Sequence, residues 1–258
     1  MKAVLLAGGL GTRMREETEF RPKPMVEVGG KPVLWHIMKI LSAGGIKEFI
    51  ICTGYKSEMI ADYLANYAAR NKNFTITPGD EDSIELHGSH EELDWKVTVA
   101  FTGADTMTGG RIKRVQRYVG DETFLCTYGD GLADVDIPAL LAYHRSHGRL
   151  GTITTTRRTS RFGVVDIGGD GIVNKFREKP QTNDWVSIGY FVLEPAVFVT
   201  IDGDDTVFEQ EPLHRIAEAG DIAAFKHDGF WQPMDTQREY QALNTLWQSG
   251  DAPWKVWA

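Results

Sequence analysis

The chain has 258 residues, of which 42% are hydrophobic, and a formal net charge of −8 at pH 7. This much apolar material is enough for a buried core and argues against disorder. The acidic balance argues against a general nucleic-acid binder, because binding to the phosphate backbone needs clustered Lys and Arg. Any anionic ligand therefore has to meet a local basic pocket.

Neither a targeting segment nor a disulfide framework is evident. The opening apolar run, MKAVLLAGG, is too short for a signal peptide or a membrane span, and no later segment reaches spanning length. The two cysteines, Cys52 and Cys126, each lie in a run that predicts a buried strand, so we interpret them as reduced core thiols. We expect a cytoplasmic protein that does not associate with a membrane.

The first half of the chain alternates strand-like apolar runs with helical patterns. Buried strands are predicted at 3–7, 48–53 and 123–128, and a further strand is predicted at 96–101. Helices are predicted at 33–43, at 57–70 with Ser57 as its N-cap, at 110–119 and at 137–148. The stretch 71–94 is polar and acidic, and we interpret it as a surface excursion with two short strands. This alternation predicts a mostly parallel sheet with helical crossovers.

From about residue 150 the pattern changes to shorter strands. They are predicted within TITTT (152–156), FGVVDI (162–167), GIVNKF (171–176), SIGYFVL (187–193) and IAAFKH (222–227). Helical patterns cover 195–201, 209–219 and 236–250. No repeat, low-complexity tract or linker interrupts the chain. The sequence therefore predicts one continuous α/β domain, 1–258, with a mixed sheet in its second half.

The most informative motif is LAGGLGTR, residues 6–13, directly after the first predicted strand. Its glycines allow backbone N–H groups to approach an anion, and Arg13 adds a fixed charge suited to phosphate oxygens. An ordinary glycine turn remains the alternative. The motif is not a P-loop, because no Gly-Lys-Ser/Thr ends it, and it lacks the third glycine of a dinucleotide-binding fingerprint. No Asp or Glu follows the second strand, which ends in Thr53 and Gly54, so an oxidoreductase is disfavoured.

A second motif, RPKPM at 21–25, places Lys23 between two prolines. Both prolines restrict the backbone, so the segment is a rigid mount for a lysine that could sit between two phosphate groups. The alternative is a rigid surface loop with a solvated lysine.

Taken together with TYGDG (127–131), REKP (177–180) and FWQPMDT (230–236), these two motifs resemble those of the sugar-1-phosphate nucleotidylyltransferase family. The resemblance implies a Rossmann-like mixed, mostly parallel sheet flanked by helices. It also implies a nucleotide-binding half at 1–149, and a sugar-binding half with a C-terminal oligomerisation helix at 150–258. The implied reaction is in-line attack of a sugar 1-phosphate on the α-phosphorus of a nucleoside triphosphate with Mg²⁺.

The resemblance also assigns the site residues. Arg13 and Lys23 would be catalytic, Asp130 and Asp235 would hold Mg²⁺, and the sugar phosphate would contact Lys23, Gly163, Glu178 and Lys179. The nucleotide would contact Leu6, Ala7, Gly8, Gly9, Leu10, Gly11, Thr12, Arg13 and Gly129. Without the family, Asp130 and Asp235 could be turn or cap residues and Lys179 part of a charged loop.

The segment TMTGGRIKRV, 106–115, departs from the thymidylyl- and uridylyl-transferring members. It resembles the corresponding segment of the cytidylyl-transferring branch of the family. The segments LWHIMK (34–39) and APWKVW (252–257) resemble that branch as well. This implies CTP and glucose 1-phosphate as substrates, with Thr106, Gly110 and Arg111 contacting the nucleotide. Arg111 could instead be a solvated helix residue.

Alternatives to this activity are a thymidylyl- or uridylyltransferase and a non-catalytic regulatory subunit of the same fold. A regulatory subunit would be expected to lose Arg13, Lys23 or the aspartates, which are all present.

Three tryptophans in the C-terminal tail, Trp247, Trp254 and Trp257, suit either a subunit interface or packing within one subunit. The resemblance implies a homo-oligomer, with a hexamer as the suggested assembly, and a product used for surface polysaccharide. The histidines show no zinc-ligand spacing.

Overall fold

The computed structural model describes residues 1–77, 84–88, 92, 94–159 and 162–257. Its β-strands are β1 (Lys2–Ala7), β2 (Glu27–Val28), β3 (Lys31–Pro32), β4 (Glu48–Thr53), β5 (Asn73–Thr75), β6 (Glu85–His87), β7 (Lys96–Phe101), β8 (Phe124–Tyr128), β9 (Gly131–Ala133), β10 (Gly151–Thr159), β11 (Val164–Ile167), β12 (Val173–Arg177), β13 (Gln181–Leu193), β14 (Ile222–Lys226) and β15 (Trp231–Pro233). Its α-helices are α1 (Arg15–Thr18), α2 (Val33–Ala43), α3 (Ser57–Ala65), α4 (Tyr67–Asn71), α5 (Thr108–Arg114), α6 (Gln116–Val119), α7 (Ile137–His147), α8 (Glu211–Glu218) and α9 (Gln237–Ser249). Short 3₁₀ helices cover Thr12–Met14, Lys23–Met25 and Pro195–Thr200.

The described residues form a central seven-stranded sheet in the order β14-β10-β13-β8-β1-β4-β7. All neighbouring strands are parallel except β13, which runs antiparallel to both β8 and β10. This confirms the α/β class and the mixed, mostly parallel sheet. Strand β1 is buried on both faces: Ala3 and Leu5 join one hydrophobic core and Val4 and Leu6 the other. Helix α2 packs in the first core and α5 in the second.

The order of strands creates a crevice at the edge where β1 and β8 end. From β1 the chain adds β4 and then β7 on one side, and returns to place β8 on the other. The loops that follow β1 and β8 therefore leave in opposite directions. In open α/β sheets ligands bind at such a switch point, beyond the carboxyl ends of the strands. The glycine turn and Asp130 lie at this point.

Two local expectations were wrong, and a third, the surface excursion, was confirmed in its described part. The helix expected over 57–70 is divided at Asn66, and its N-cap is Lys56, with Ser57 as the first helical residue and no side-chain cap bond. The helix expected over 110–119 begins earlier, at Thr108, and is interrupted at Val115. The expected surface excursion contains the hairpin β5–β6, whose residues are exposed, while 78–83, 89–91 and 93 lie outside the described residues.

The tail tryptophans pack within the chain. Trp254 is fully buried, and it lies with Trp247 and Trp257 around the ring of His36 on α2. Both cysteines are buried free thiols, and burial raises the pKa of Cys52 to about 12. In the described part of the chain, no helix combines the length and apolarity that crossing a bilayer requires.

Candidate active site

The glycine turn after β1 is fixed by contacts within the chain. Gly11 has φ of 63°, in the left-handed region, and a β-carbon there would lie 2.7 Å from Cγ2 of Thr18. The Thr18 hydroxyl lies 3.0 Å from the carbonyl oxygens of both Gly11 and Met14. A side chain at position 11 would therefore be strained and would also displace Thr18.

Lys23 sits at the centre of the site, between the two predicted metal ligands. Its Nζ lies 2.6 Å from Oδ2 of Asp130 and 2.6 Å from Oδ1 of Asp235, and its side chain is only 9% exposed. Arg13 donates from Nη1 to Oδ2 of Asp235 at 2.8 Å. The four residues that carry the predicted chemistry are thus brought together in one cluster.

Three elements position this cluster. Lys23 opens a 3₁₀ helix after Pro22, and Pro24 packs so closely on Gly129 that a β-carbon there would lie 3.0 Å from Pro24 Cγ. Asp130 follows β8. Strand β15 pairs with β9, and the Met234 N–H donates to the Asp130 carbonyl at 2.9 Å, which brings Asp235 to the same place.

Asp235 is not the cap of α9. Thr236 is the N-cap, with its hydroxyl accepting from the Glu239 N–H at 3.3 Å, while Glu239 Oε2 accepts from the Asp235 N–H at 3.0 Å. This pattern is a variant of the capping box in which the Glu239 carboxylate accepts from the residue before the N-cap instead of from the N-cap itself. The Thr-x-x-Glu spacing at 236–239 was the sequence signal for this cap. Because Thr236 caps the helix, the Asp235 carboxylate is free to face the cluster.

The donor set fits Mg²⁺. The carboxylates of Asp130 and Asp235 share one cationic nitrogen, so they are close enough to share one cation. Mg²⁺ prefers such hard oxygen ligands, and it typically takes one or two carboxylates together with substrate phosphates and water. Among the described residues no group of three or more His, Cys, Asp or Glu side chains could hold a metal ion.

A cavity of about 310 Å³ opens over the glycine turn. It is lined by most of the predicted nucleotide contacts: Leu6, Ala7, Gly8, Gly9, Gly11, Thr12, Arg13, Thr106, Arg111 and Gly129. Lys23 and Asp130 also line it, as do Met107, Thr108 and Tyr128, which the sequence did not single out. Leu10 is exposed and does not line the cavity.

In the 106–115 segment one predicted nucleotide contact, Gly110, is placed differently from the expectation, and one of the two alternatives for Arg111 is excluded. Gly110 does not line the cavity, because it faces the loop at Asp204, whose Cα would lie 2.6 Å from an added β-carbon. Close packing of α5 on that loop explains this glycine. Arg111 is only 4% exposed, so the solvated-helix interpretation was wrong.

Two further cavities continue from the aspartates toward the second half of the chain. One of about 330 Å³ is lined by Arg13, Asp130 and Asp235, and it shares Trp231 and Pro233 with a larger one of about 880 Å³. Lys179 lines the larger cavity and has φ of 44°. Trp231 lines both cavities. The sequence analysis included it in the FWQPMDT motif but did not predict a role for it.

Gly163 and Glu178 lie beside the hairpin β11–β12 and are not among the residues that line these cavities. Glu178 and Lys179 form an ion pair at 3.8 Å, with both side chains more than 60% exposed, at 64% and 62%. A β-carbon on Gly163 would lie 2.5 Å from the Phe176 ring, so this glycine allows the hairpin to pack. Of the predicted sugar-phosphate contacts, Lys23 therefore lies in the aspartate cluster and Lys179 lines the larger cavity, whereas Gly163 and Glu178 line neither of the two cavities.

Comparison with known proteins agrees with this geometry. The model of the nucleotidyl transferase family matches residues 2–240. The chain is similar to the glucose-1-phosphate cytidylyltransferase of Salmonella typhimurium, with 52% identity over the full length of both proteins. It is 43% identical, again over both full lengths, to a probable glucose-1-phosphate cytidylyltransferase of Bacillus subtilis. Among solved structures, a UDP-glucose pyrophosphorylase in complex with UDP-glucose superposes with a TM-score of 0.69 at 17% identity, covering 96% of this chain and 98% of that one, which bears on the fold alone.

Proposed function

The chain belongs to the nucleotidyl transferase family, and from that membership we propose that it transfers a cytidylyl group from CTP to α-D-glucose 1-phosphate, giving CDP-glucose and pyrophosphate. The observation that carries the transferase reaction is the cluster of Arg13, Lys23, Asp130 and Asp235 beside the glycine turn, and the choice of CTP and glucose 1-phosphate rests on the similar cytidylyltransferases. Fixed cations and paired carboxylates are what a reaction between two polyanions requires.

In this reaction an oxygen of the glucose 1-phosphate attacks the α-phosphorus of CTP, a new P–O bond forms, and the bond to pyrophosphate breaks. The nucleophile is already an anion, so no general base is needed. The main barrier is the repulsion between the substrates and the charge that develops on the leaving pyrophosphate. Lys23 and Arg13 offset that charge, and the glycine turn presents backbone N–H groups to the phosphates.

Asp130 and Asp235 would hold Mg²⁺, which when bound supplies positive charge to the phosphate oxygens. The ammonium of Lys23 lies between the two carboxylates and would place a second positive charge beside the phosphates.

The proposal extends to the organisation of the chain. Residues 1–149, with the smaller cavity, would bind the nucleotide, and residues 150–258, with the larger one, would bind the sugar. Helix α9 and the tail would contribute to a homo-oligomer, with a hexamer as the suggested assembly, in the cytoplasm. The finding that Trp254 is buried within its own chain leaves the outer faces of Trp247 and Trp257 for such an interface.

The test is a pyrophosphate-release assay of ATP, GTP, CTP, UTP and dTTP, each with glucose 1-phosphate and Mg²⁺. CTP should give the highest kcat/KM, and EDTA should abolish turnover until Mg²⁺ is restored. A higher kcat/KM with UTP or dTTP would assign the chain to the alternative branch. Release of no pyrophosphate with any nucleotide would favour a non-catalytic binding subunit.

A further inference from the structure

A separate cavity of about 550 Å³, called the side cavity below, is walled by the segment 21–32 and by helices α3 and α4. No described residue lines both this cavity and one of the three active-site cavities. Its volume falls in the range of small-molecule sites, about 300–1,000 Å³. The side cavity is therefore large enough for a ligand of its own.

The side cavity borders the segment that carries Lys23. Arg21 and Met25 line it, whereas Lys23 and Pro24 line the nucleotide cavity. Pro22 and Pro24 restrict the backbone of this segment, and the Met25 N–H donates to the Pro22 carbonyl at 2.8 Å. Because the segment is stiff, a displacement of Arg21 or Met25 is passed on to Lys23.

Two cations of the side cavity have donors that the protein does not use. Arg21 lies 3.6 Å from Glu27 and 4.0 Å from Glu17, and its guanidinium makes no hydrogen bond to a described residue. Lys31 donates to the side-chain carbonyl of Asn71 at 2.6 Å, and within the described ranges it pairs with no carboxylate. A guanidinium fork beside an ammonium group is suited to binding phosphate.

The rest of the wall suits the hydroxyls and the apolar face of a sugar. Glu58 is exposed in the first turn of α3, and its carboxylate has no ion pair or hydrogen bond in the described part of the chain, so it can accept from hydroxyls. Met25, Met59 and the ring of Tyr63 supply apolar surface. The Tyr63 hydroxyl is buried without a hydrogen-bond partner among the described residues. Buried polar groups nearly always have a partner, so this hydroxyl indicates one that binds from outside the chain.

The position of Lys23 decides the direction of the effect. Its ammonium already lies 2.6 Å from the carboxylates of both Asp130 and Asp235. A ligand that draws Arg21 into the side cavity would pull Lys23 out of this assembled cluster. Because a shift of about 1 Å in a catalytic group can cost about a hundredfold in rate, a ligand in the side cavity should inhibit.

We propose that the side cavity is a second ligand site, which binds a phosphorylated sugar and lowers turnover by displacing Lys23. The phosphate contacts Arg21 and Lys31, and the sugar hydroxyls contact Glu58. The binding site is independent of the proposed function, whereas its effect on turnover rests on that function.

Methionine methyl groups can report each site separately. Met25 and Met59 line the side cavity, and Met107 lines the nucleotide cavity. Protein labelled with ¹³C in its methionine methyl groups is titrated with glucose 6-phosphate, CDP-glucose or inorganic phosphate and observed by NMR. Glucose 6-phosphate should shift the signals of Met25 and Met59 to saturation. A tighter response to CDP-glucose would identify the enzyme's own product as the ligand, and a weaker one would identify a free sugar phosphate.

The variant Lys31→Gln should weaken glucose 6-phosphate at Met59 by about tenfold, the effect of losing one charge-assisted hydrogen bond. The matched control is Lys72→Gln, because Lys72 directly follows Asn71 but does not line the side cavity. Glu58→Gln tests the sugar contact and covers the case in which Lys31→Gln does not fold. It should weaken glucose 6-phosphate but not inorganic phosphate.

The effect on turnover is measured by pyrophosphate release from CTP and glucose 1-phosphate with glucose 6-phosphate added. Glucose 6-phosphate should inhibit the wild type and Lys72→Gln about tenfold more than Lys31→Gln, within the usual range of coupling between two sites. Competition for the active site would inhibit all three proteins equally, so the difference isolates the side cavity.

Three results would overturn the proposal. Signals of Met25 and Met59 that do not move while that of Met107 does would show that phosphates bind only at the active site. Inorganic phosphate that binds as tightly as glucose 6-phosphate would remove the sugar from the recognition. Equal inhibition of the wild type and Lys31→Gln would remove the coupling to Lys23. If the wild type releases no pyrophosphate at all, the proposed function fails instead, and the methionine signals still judge the side cavity.

Discussion

The two ends of the active-site channel, at the glycine turn and at Lys179, differ in how firmly the protein holds their charged side chains. At the glycine turn, Lys23 is 9% exposed and held by two carboxylates, whereas Lys179 in the second half is 62% exposed and pairs with its neighbour Glu178. The difference teaches that the cationic groups and the predicted metal ligands are preorganised by the chain itself. The predicted sugar-phosphate ligand Lys179 is exposed, so bound substrate would have to supply its remaining contacts.

The comparison predicts its largest effect at Lys23. Lys23→Met should lower kcat by about a thousandfold, because it removes a fixed cation from the reacting phosphates and leaves two carboxylates facing each other. Asp130 and Asp235 remain partly exposed to solvent, so the variant should stay folded. Turnover is measured by pyrophosphate release and folding by thermal unfolding.

The matched control is Lys2→Met, since Lys2 also donates to fixed oxygens, the carbonyls of Tyr118 and Val119, but at the opposite end of β1. It should retain wild-type turnover. Equal turnover in the two variants would remove Lys23 from the mechanism.

The second prediction concerns the packing behind the preorganised end, where the tail covers α2. His36 is fully buried, Nε2 donates to the Val28 carbonyl at 2.8 Å, and Nδ1 accepts from Trp254 at 3.3 Å. Burial lowers its pKa to about 4, and the charge of Lys31 contributes in the same direction. The unfolded chain therefore takes up a proton here from about pH 6.5 downward, while the folded protein does so only near pH 4.

Stability should consequently be level above pH 6.5 and fall as the pH drops toward 4, with a contribution from His36 on the order of 3 kcal/mol. Urea unfolding at a series of pH values measures this slope. His36→Gln should flatten it, whereas the exposed His214→Gln should leave it unchanged. A wild-type slope in His36→Gln would assign the acid sensitivity to other groups.

The sequence predicted those parts of the molecule in which a local pattern of residues determines the structure or marks the site. The continuous apolar runs located β1 and β4, because a strand buried on both faces leaves an unmistakable apolar stretch. The ordered motifs identified Arg13, Lys23, Asp130 and Asp235, and the structure brings these four together. Their roles in catalysis stay a prediction.

The parts that could not be predicted depend on contacts between distant segments. Nothing near Arg111 in the sequence indicates that its guanidinium donates to the carbonyls of Gly8 and Thr53, so a solvated position could not be excluded. Gly110 was expected at the nucleotide, because no local pattern shows that it accommodates the loop at Asp204. Asp235 reaches Asp130 only through the pairing of β15 with β9, which no local pattern indicates.

The smallest effect is expected at the open end of the channel. Lys179→Ala should raise the KM for glucose 1-phosphate by about tenfold, the effect of losing one charge-assisted hydrogen bond, and should leave the KM for CTP unchanged. Lys175→Ala is the control, because Lys175 is an exposed lysine on β12 of the same hairpin but does not line the cavity. Steady-state kinetics with each substrate varied in turn makes the measurement. If Lys179→Ala raised the KM for CTP as well, the two ends of the channel would be coupled. The two substrates would then not bind independently at the two ends. If it changed neither KM, the sugar phosphate would be held by other residues of the larger cavity, with Arg158 and Arg238 as the next to be substituted.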